Sequence, residues 1–184
     1  PVKVVFDNIE SGAKGIYYPN EEKIVVQTGM SNLQTLKTLV HESAHARLHN
    51  NQAMEKTNAW NFELAVEKLL ELKADQWDLS RAQAAVQNYK RYMAVTKALG
   101  GVQLVPNGDI DEIWHMHILD TRAYLKDCNE LFGEFLHHFP YFGMLGEENR
   151  QQWLDVQLQS ESLWQELFGE TLYGTTREAQ KCPQ

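Results

Sequence analysis

Cysteine is scarce in this chain. The two present are Cys128, within a helical pattern, and Cys182, in the tail. They imply no disulfide framework and suit a reducing cytoplasm. Long apolar runs are missing as well: none reaches the roughly 18 residues of a membrane span, so no membrane role is expected. The opening stretch, Pro1-Val2-Lys3-Val4-Val5-Phe6, lacks the apolar core of a secretory signal, which again points to the cytoplasm. Basic charge is short: 17 Lys and Arg stand against 25 Asp and Glu, a net charge of −8 with histidine neutral. Neutralising phosphates needs clustered Lys and Arg, so this balance argues against a nucleic-acid partner. Repeats and low-complexity tracts are absent. What remains is a globular mix, 43% hydrophobic and 23% charged over 184 residues, enough for one domain with a substantial core or two small ones.

Strand signals are confined to the first part. Residues 2–6 and Lys23-Ile24-Val25-Val26-Gln27 are rich in β-branched residues, and Gly15-Ile16-Tyr17-Tyr18 is a shorter candidate. Pro19-Asn20-Glu21-Glu22 predicts a turn that makes a hairpin of the second and third strands. Ser31-Asn32-Leu33-Gln34 reads as a capping box opening a helix to about His49. Beyond residue 52 the patterns are helical. They cover Phe62 to Lys73, a segment capped by Asp78 or Ser80 and running to Leu99, one opened by Asp109-Ile110-Asp111-Glu112, one capped by Asp120-Thr121 and running to Phe132, and one from Glu147 to Phe168. The expected fold class is mainly α: a small N-terminal β-hairpin or sheet plus one helix in residues 1–51, then an all-α helical bundle in residues 52–184.

The first chemistry-bearing string is His41-Glu42-Ser43-Ala44-His45. On a helix, His41 and His45 lie one turn apart on one face, so both imidazoles reach one metal ion, and Glu42 beside them can act as base on a metal-bound water. Catalytic zinc takes three protein ligands and keeps a fourth position open. His49 is better read as a polar edge residue than as a further ligand. The bland alternative is an amphipathic helix that happens to carry histidine. The stretch "GIYYPNEEKIVVQTGMSNLQTLKTLVHESAHARLH" resembles the metallopeptidase domain of ArdC-type antirestriction proteins and their ImmA/IrrE-like relatives, over residues 1 to about 50. That resemblance implies zinc on His41 and His45, Glu42 as the base, and an acidic third ligand on the following helix. Glu71, in Glu71-Leu72-Lys73-Ala74-Asp75, fits the downstream pattern, with Glu67 and Asp75 as fallbacks. The elements that precede the first strand in that family are missing, which makes an incomplete peptidase unit the expectation.

The second constellation is "DIDEIWHMHILDTRAYLKDC" with "FLHHFPYFG". Helix geometry turns His115 and His117 apart. The polar partners within reach of His115 are Asp111 and Glu112; His117 is expected to pair with Asp120, and either member of that pair to meet His138. The bland reading is helix packing, with Ile113, Trp114, Leu119, Tyr124 and Leu125 as core and the histidines hydrogen-bonded beneath them. Residues 58–170 resemble the glycine-rich-domain-containing-protein-like family, which implies a helical bundle with a His-rich patch rather than a particular reaction.

Three functions follow as expectations. One is a zinc-dependent metallopeptidase acting on a protein or peptide, through His41, Glu42, His45 and Glu71. The second is a non-catalytic metal- or ligand-binding module using His115, His117, Asp120 and His138, with the peptidase motif as a remnant. The third is a partner-binding scaffold that docks through the aromatic loop from Phe139 to Phe142.

Overall fold

In the computed structural model, residues 3–30, 34–35, 38, 41–42, 52–99 and 104–174 are described. The N-terminal strands are β1 (Lys3–Asp7), β2 (Gly15–Tyr18) and β3 (Lys23–Gln27), in the order β1-β3-β2. β2 and β3 form the expected antiparallel hairpin through a 3-10 turn at Pro19–Glu21. β1 adds to the other edge of β3 in parallel, from Lys3 opposite Lys23 to Asp7 opposite Gln27. The period-2 rule places Ile24 and Val26 on the covered face, both essentially inaccessible to solvent.

Residues 34, 35, 38, 41 and 42 are helical. Thr38 and Glu42, one turn apart, are buried against β2 at Gly15. The expected cap at Ser31 and the histidines His45 and His49 lie outside the described residues.

The rest is helical: α1 (Gln52–Asn58), α2 (Glu63–Leu72), α3 (Leu79–Ala98), α4 (Gly108–Leu119), α5 (Thr121–Phe132) and α6 (Glu147–Phe168). The fold is therefore mainly α with a small N-terminal sheet. Local chemistry sets the ends. Asp78 caps α3 by accepting from the Arg81 amide at 2.8 Å, and Asn107 caps α4 by accepting from the Ile110 amide at 2.8 Å. Gly133 and Gly169 end α5 and α6 in the left-handed conformation that glycine adopts without strain. Asp120 has two duties: it is the C-cap of α4 and, accepting from the Ala123 amide, the N-cap of α5.

α3 is the central helix, with Ala82, Ala85, Tyr89, Tyr92 and Met93 all buried, and it packs on α1, α2 and α4. Trp60, Leu69, Ile113, Trp114, Tyr124 and Trp164 join it in one apolar core, while Ile24 and Val26 form a separate small one. Three expectations are corrected. α1 was not anticipated. Leu119 and Leu125, expected in the core, are 66% and 49% exposed, because they fall on the outer faces of α4 and α5. Leu64, an apolar position of the helical segment expected from Phe62 to Lys73, is 79% exposed. No helix among the described residues is long and apolar enough to cross a membrane.

Candidate functional site

α4 presents Asp111 and His115 one turn apart on one face. The segment after α5 brings in His138. It is pinned by a buried relay: Trp114 Nε1 donates to the Tyr124 hydroxyl at 3.0 Å, which in turn donates to the Leu136 carbonyl at 2.6 Å. The His138 ring then stands edge-on to Trp114, with centroids 4.4 Å apart. Its Nε2 lies 2.9 Å from Asp111 Oδ1, and His115 Nε2 lies 3.8 Å from Asp111 Oδ2. The two imidazole centroids are 4.9 Å apart.

These side chains offer one ligand atom each, all within 4.8 Å of one another. Bonds from a transition metal to imidazole nitrogen and carboxylate oxygen are about 2.0–2.2 Å long, so an ion fits between them after small side-chain adjustments. Two histidines and one carboxylate leave coordination positions open. The open side is defined by a cavity of about 770 Å³, which these three residues line together with Trp114, Phe139, Phe142, Trp153 and Tyr173. The cavity's arginine, Arg81, is forked onto Asp109 at 2.7 and 3.2 Å. The cluster can hold a metal ion with an aromatic-walled space beside it.

His117 is not part of this group. It faces the opposite way, 3% exposed, within a cage of Trp60, Phe62 and Tyr124. Its Nδ1 is 3.0 Å from the Tyr89 hydroxyl. Its Nε2 lies 3.2 Å from Asp127 Oδ2 but off the hydrogen-bonding direction. Burial holds its pKa down to about 4, and nearby Asp120 offsets only part of that. The expected pairing of His117 with Asp120 is thus replaced by Tyr89 and Asp127, and Asp120 serves as a helix cap. Nor does His138 meet His117; it meets Asp111 and His115. Glu112, the other acid considered for His115, pairs with Lys73 at 2.6 Å. The spacing Asp-x-x-x-His is the signal for Asp111, which is more than the expected partner of His115: it offers a ligand atom of its own. In the expected docking loop, Phe139 and Tyr141 are about half exposed and in edge contact.

At the N-terminal motif, Glu42 is 6% exposed. Burial, followed by the charge of Glu166, raises its carboxyl pKa to about 7, against a backbone hydrogen bond at Tyr17 that favours the carboxylate. Gly15 makes room for it: a Cβ there would meet Thr38 Cγ2 at 2.5 Å and Glu42 Cγ at 2.8 Å. His41 Nε2 lies 2.6 Å from Glu166 Oε1 on α6. Burial lowers the His41 pKa, and Glu166 works in the opposite direction. Glu71, with the fallbacks Glu67 and Asp75, is exposed on or just after α2.

A family profile described as UCP032817-like matches residues 51–164, more than half of the chain. The chain belongs to the UCP032817-like family. The matched region holds α1 to α5 and most of α6, and with them Asp111, His115 and His138. The sheet and the HESAH string lie before the UCP032817-like region. No curated protein and no solved structure matches the chain.

Proposed function

We propose that the UCP032817-like region is a metal-dependent module in which Asp111, His115 and His138 hold a divalent transition-metal ion facing the cavity. The observation that carries this reading is the convergence of three ligand atoms within 4.8 Å on the cavity wall. Zinc is the ion assigned first, because two imidazoles and a carboxylate with an open position form a catalytic zinc donor set; iron(II) uses the same set. The open position would take a water or an oxygen or nitrogen atom of a ligand whose apolar part rests on Trp114, Phe142 and Trp153. Elemental analysis of purified protein tests this: wild type should carry an ion that the His115→Ala/His138→Ala variant lacks. Equal metal content in the two proteins would end this assignment.

A second reading, zinc-dependent peptide hydrolysis at the HESAH motif, is favoured by the seating of Glu42. A buried carboxyl with its pKa near neutrality, beside a motif histidine, is suited to accept a proton from a metal-bound water. Glu42→Gln should abolish hydrolysis of an unfolded protein substrate while the metal stays bound. Retained turnover in that variant would remove Glu42 from the reaction. For both readings we propose the cytoplasm as the location, supported by the buried free thiol of Cys128.

A further inference from the structure

We propose that Glu166 is a ligand of the ion held by the HESAH motif, so that the last helix of the UCP032817-like unit completes a metal centre begun in the N-terminal segment. The proposal rests on the metal-binding reading of that motif and is independent of the cavity centre.

Helix register explains how Glu166 comes to the motif. Gln157, Ser160 and Trp164 form the buried stripe of α6. Glu166 follows Trp164 by two positions, about 200° further round the helix, and so points away from the helical core. On that side it meets His41, whose Nε2 is 2.6 Å from Glu166 Oε1. Ligand atoms of one tetrahedral ion stand about 3.3 Å apart when each bond is near 2.0–2.1 Å. Entry of an ion between these two atoms therefore requires a shift of under about 1 Å. The Glu166 side chain is 53% exposed and His41 18%, so the carboxylate can make that move without unpacking α6.

Chemistry supports the same assignment. A motif histidine, a neighbouring buried Glu42 and a carboxylate from a distant helix are parts of a hydrolytic zinc site, and the distant carboxylate is the part that residues 41 and 42 cannot supply. His45, expected from the sequence to share the ion with His41, lies outside the described residues. Glu71, expected from the sequence for this role, is exposed on α2, and the carboxylate found on His41 belongs to α6.

The alternative is an ion pair or hydrogen bond that only docks the two units. The test uses the full-length chain carrying His115→Ala/His138→Ala, so that only the motif reports. Zinc affinity is measured by competition with a chromophoric chelator, and folding is followed by circular dichroism and thermal unfolding. The parent should bind one zinc and lose it on His41→Ala. Glu166→Gln should weaken zinc at least roughly ten-fold, with Glu166→Asp recovering part of the loss, and Glu71→Gln should bind as the parent does. Unchanged affinity in Glu166→Gln, with His41→Ala still losing zinc, would overturn the role of Glu166 and leave the motif reading standing. Loss of zinc in Glu71→Gln with retention in Glu166→Gln would do the same. A parent that binds no zinc would overturn both.

Discussion

The two histidine clusters of this chain are built in different ways. Asp111, His115 and His138 come from one helix and one short segment, and the segment is tied down by the Trp114–Tyr124–Leu136 relay within the helical core. His41 and Glu42 come from a helix lying on a three-stranded sheet, and the acid facing His41 comes from the far end of α6. The first cluster is organised inside one core. The second depends on two units being in register, so its geometry is only as firm as their docking.

Removing metal ligands should separate the two most strongly. His115→Ala/His138→Ala should lower affinity at the cavity by at least roughly a hundred-fold and leave any ion at the motif in place, as isothermal titration with zinc would reveal. A single class of sites that is lost altogether would merge the clusters into one function.

The next effect is on stability against pH, where the two regions should have opposite slopes. His117 has its folded-state pKa lowered from 6.5 to about 4. Between those values the unfolded chain takes up a proton that the folded core refuses, so stability falls as pH drops through that window and changes no further below it. The full effect is on the order of 3 kcal/mol. Glu42 is the reverse case. Its pKa rises from 4.5 to about 7, so its contribution is full below 4.5 and is lost as pH climbs to about 7. Denaturant midpoints from pH 4 to pH 8 should become flatter on the acid side in His117→Asn. They should become flatter on the neutral side in Glu42→Gln.

Smaller is the cost of Gly15→Ala. The added methyl would press on Thr38 and Glu42 at contact distances that require movement, and overpacking of this kind costs about 1–3 kcal/mol. Amide exchange should locate the loss in the sheet and its helix and leave α3 protected. Smallest is Leu119→Gln at an exposed position, which should change stability by no more than about 0.5 kcal/mol. A larger loss in thermal unfolding would mean that Leu119 is covered in solution.

Much of the fold was legible where local chemistry decides it. The turn at Pro19, the cap at Asp78, the glycine stop at Gly133 and the periodicity of α6 each leave a mark in neighbouring residues. α1 left little mark: it is short, with few apolar positions. The parallel pairing of β1 is equally hidden, since alternation is the same for either strand direction. Leu119 and Leu125 misled because a leucine in a helical segment reads as core until the neighbours fix which face is inward. In the site, the turning apart of His115 and His117 followed from helix geometry alone. His138 was named but given the wrong company, because its position is set by the relay through Tyr124 and not by its sequence neighbours. Glu166 was invisible for a stronger reason: nothing local to α6 records that a residue near the start of the chain lies opposite.

Asp120 carries a consequence for how such a chain can change over generations. Because one residue both finishes α4 and starts α5, there is no slack between the helices to absorb an added or lost codon. A single insertion there would turn one helix by about 100° against the other, swinging Tyr124 away from Trp114 and His138 away from Asp111. Length at this joint should therefore be held fixed among relatives that keep the centre, even where the exposed positions on either side drift freely.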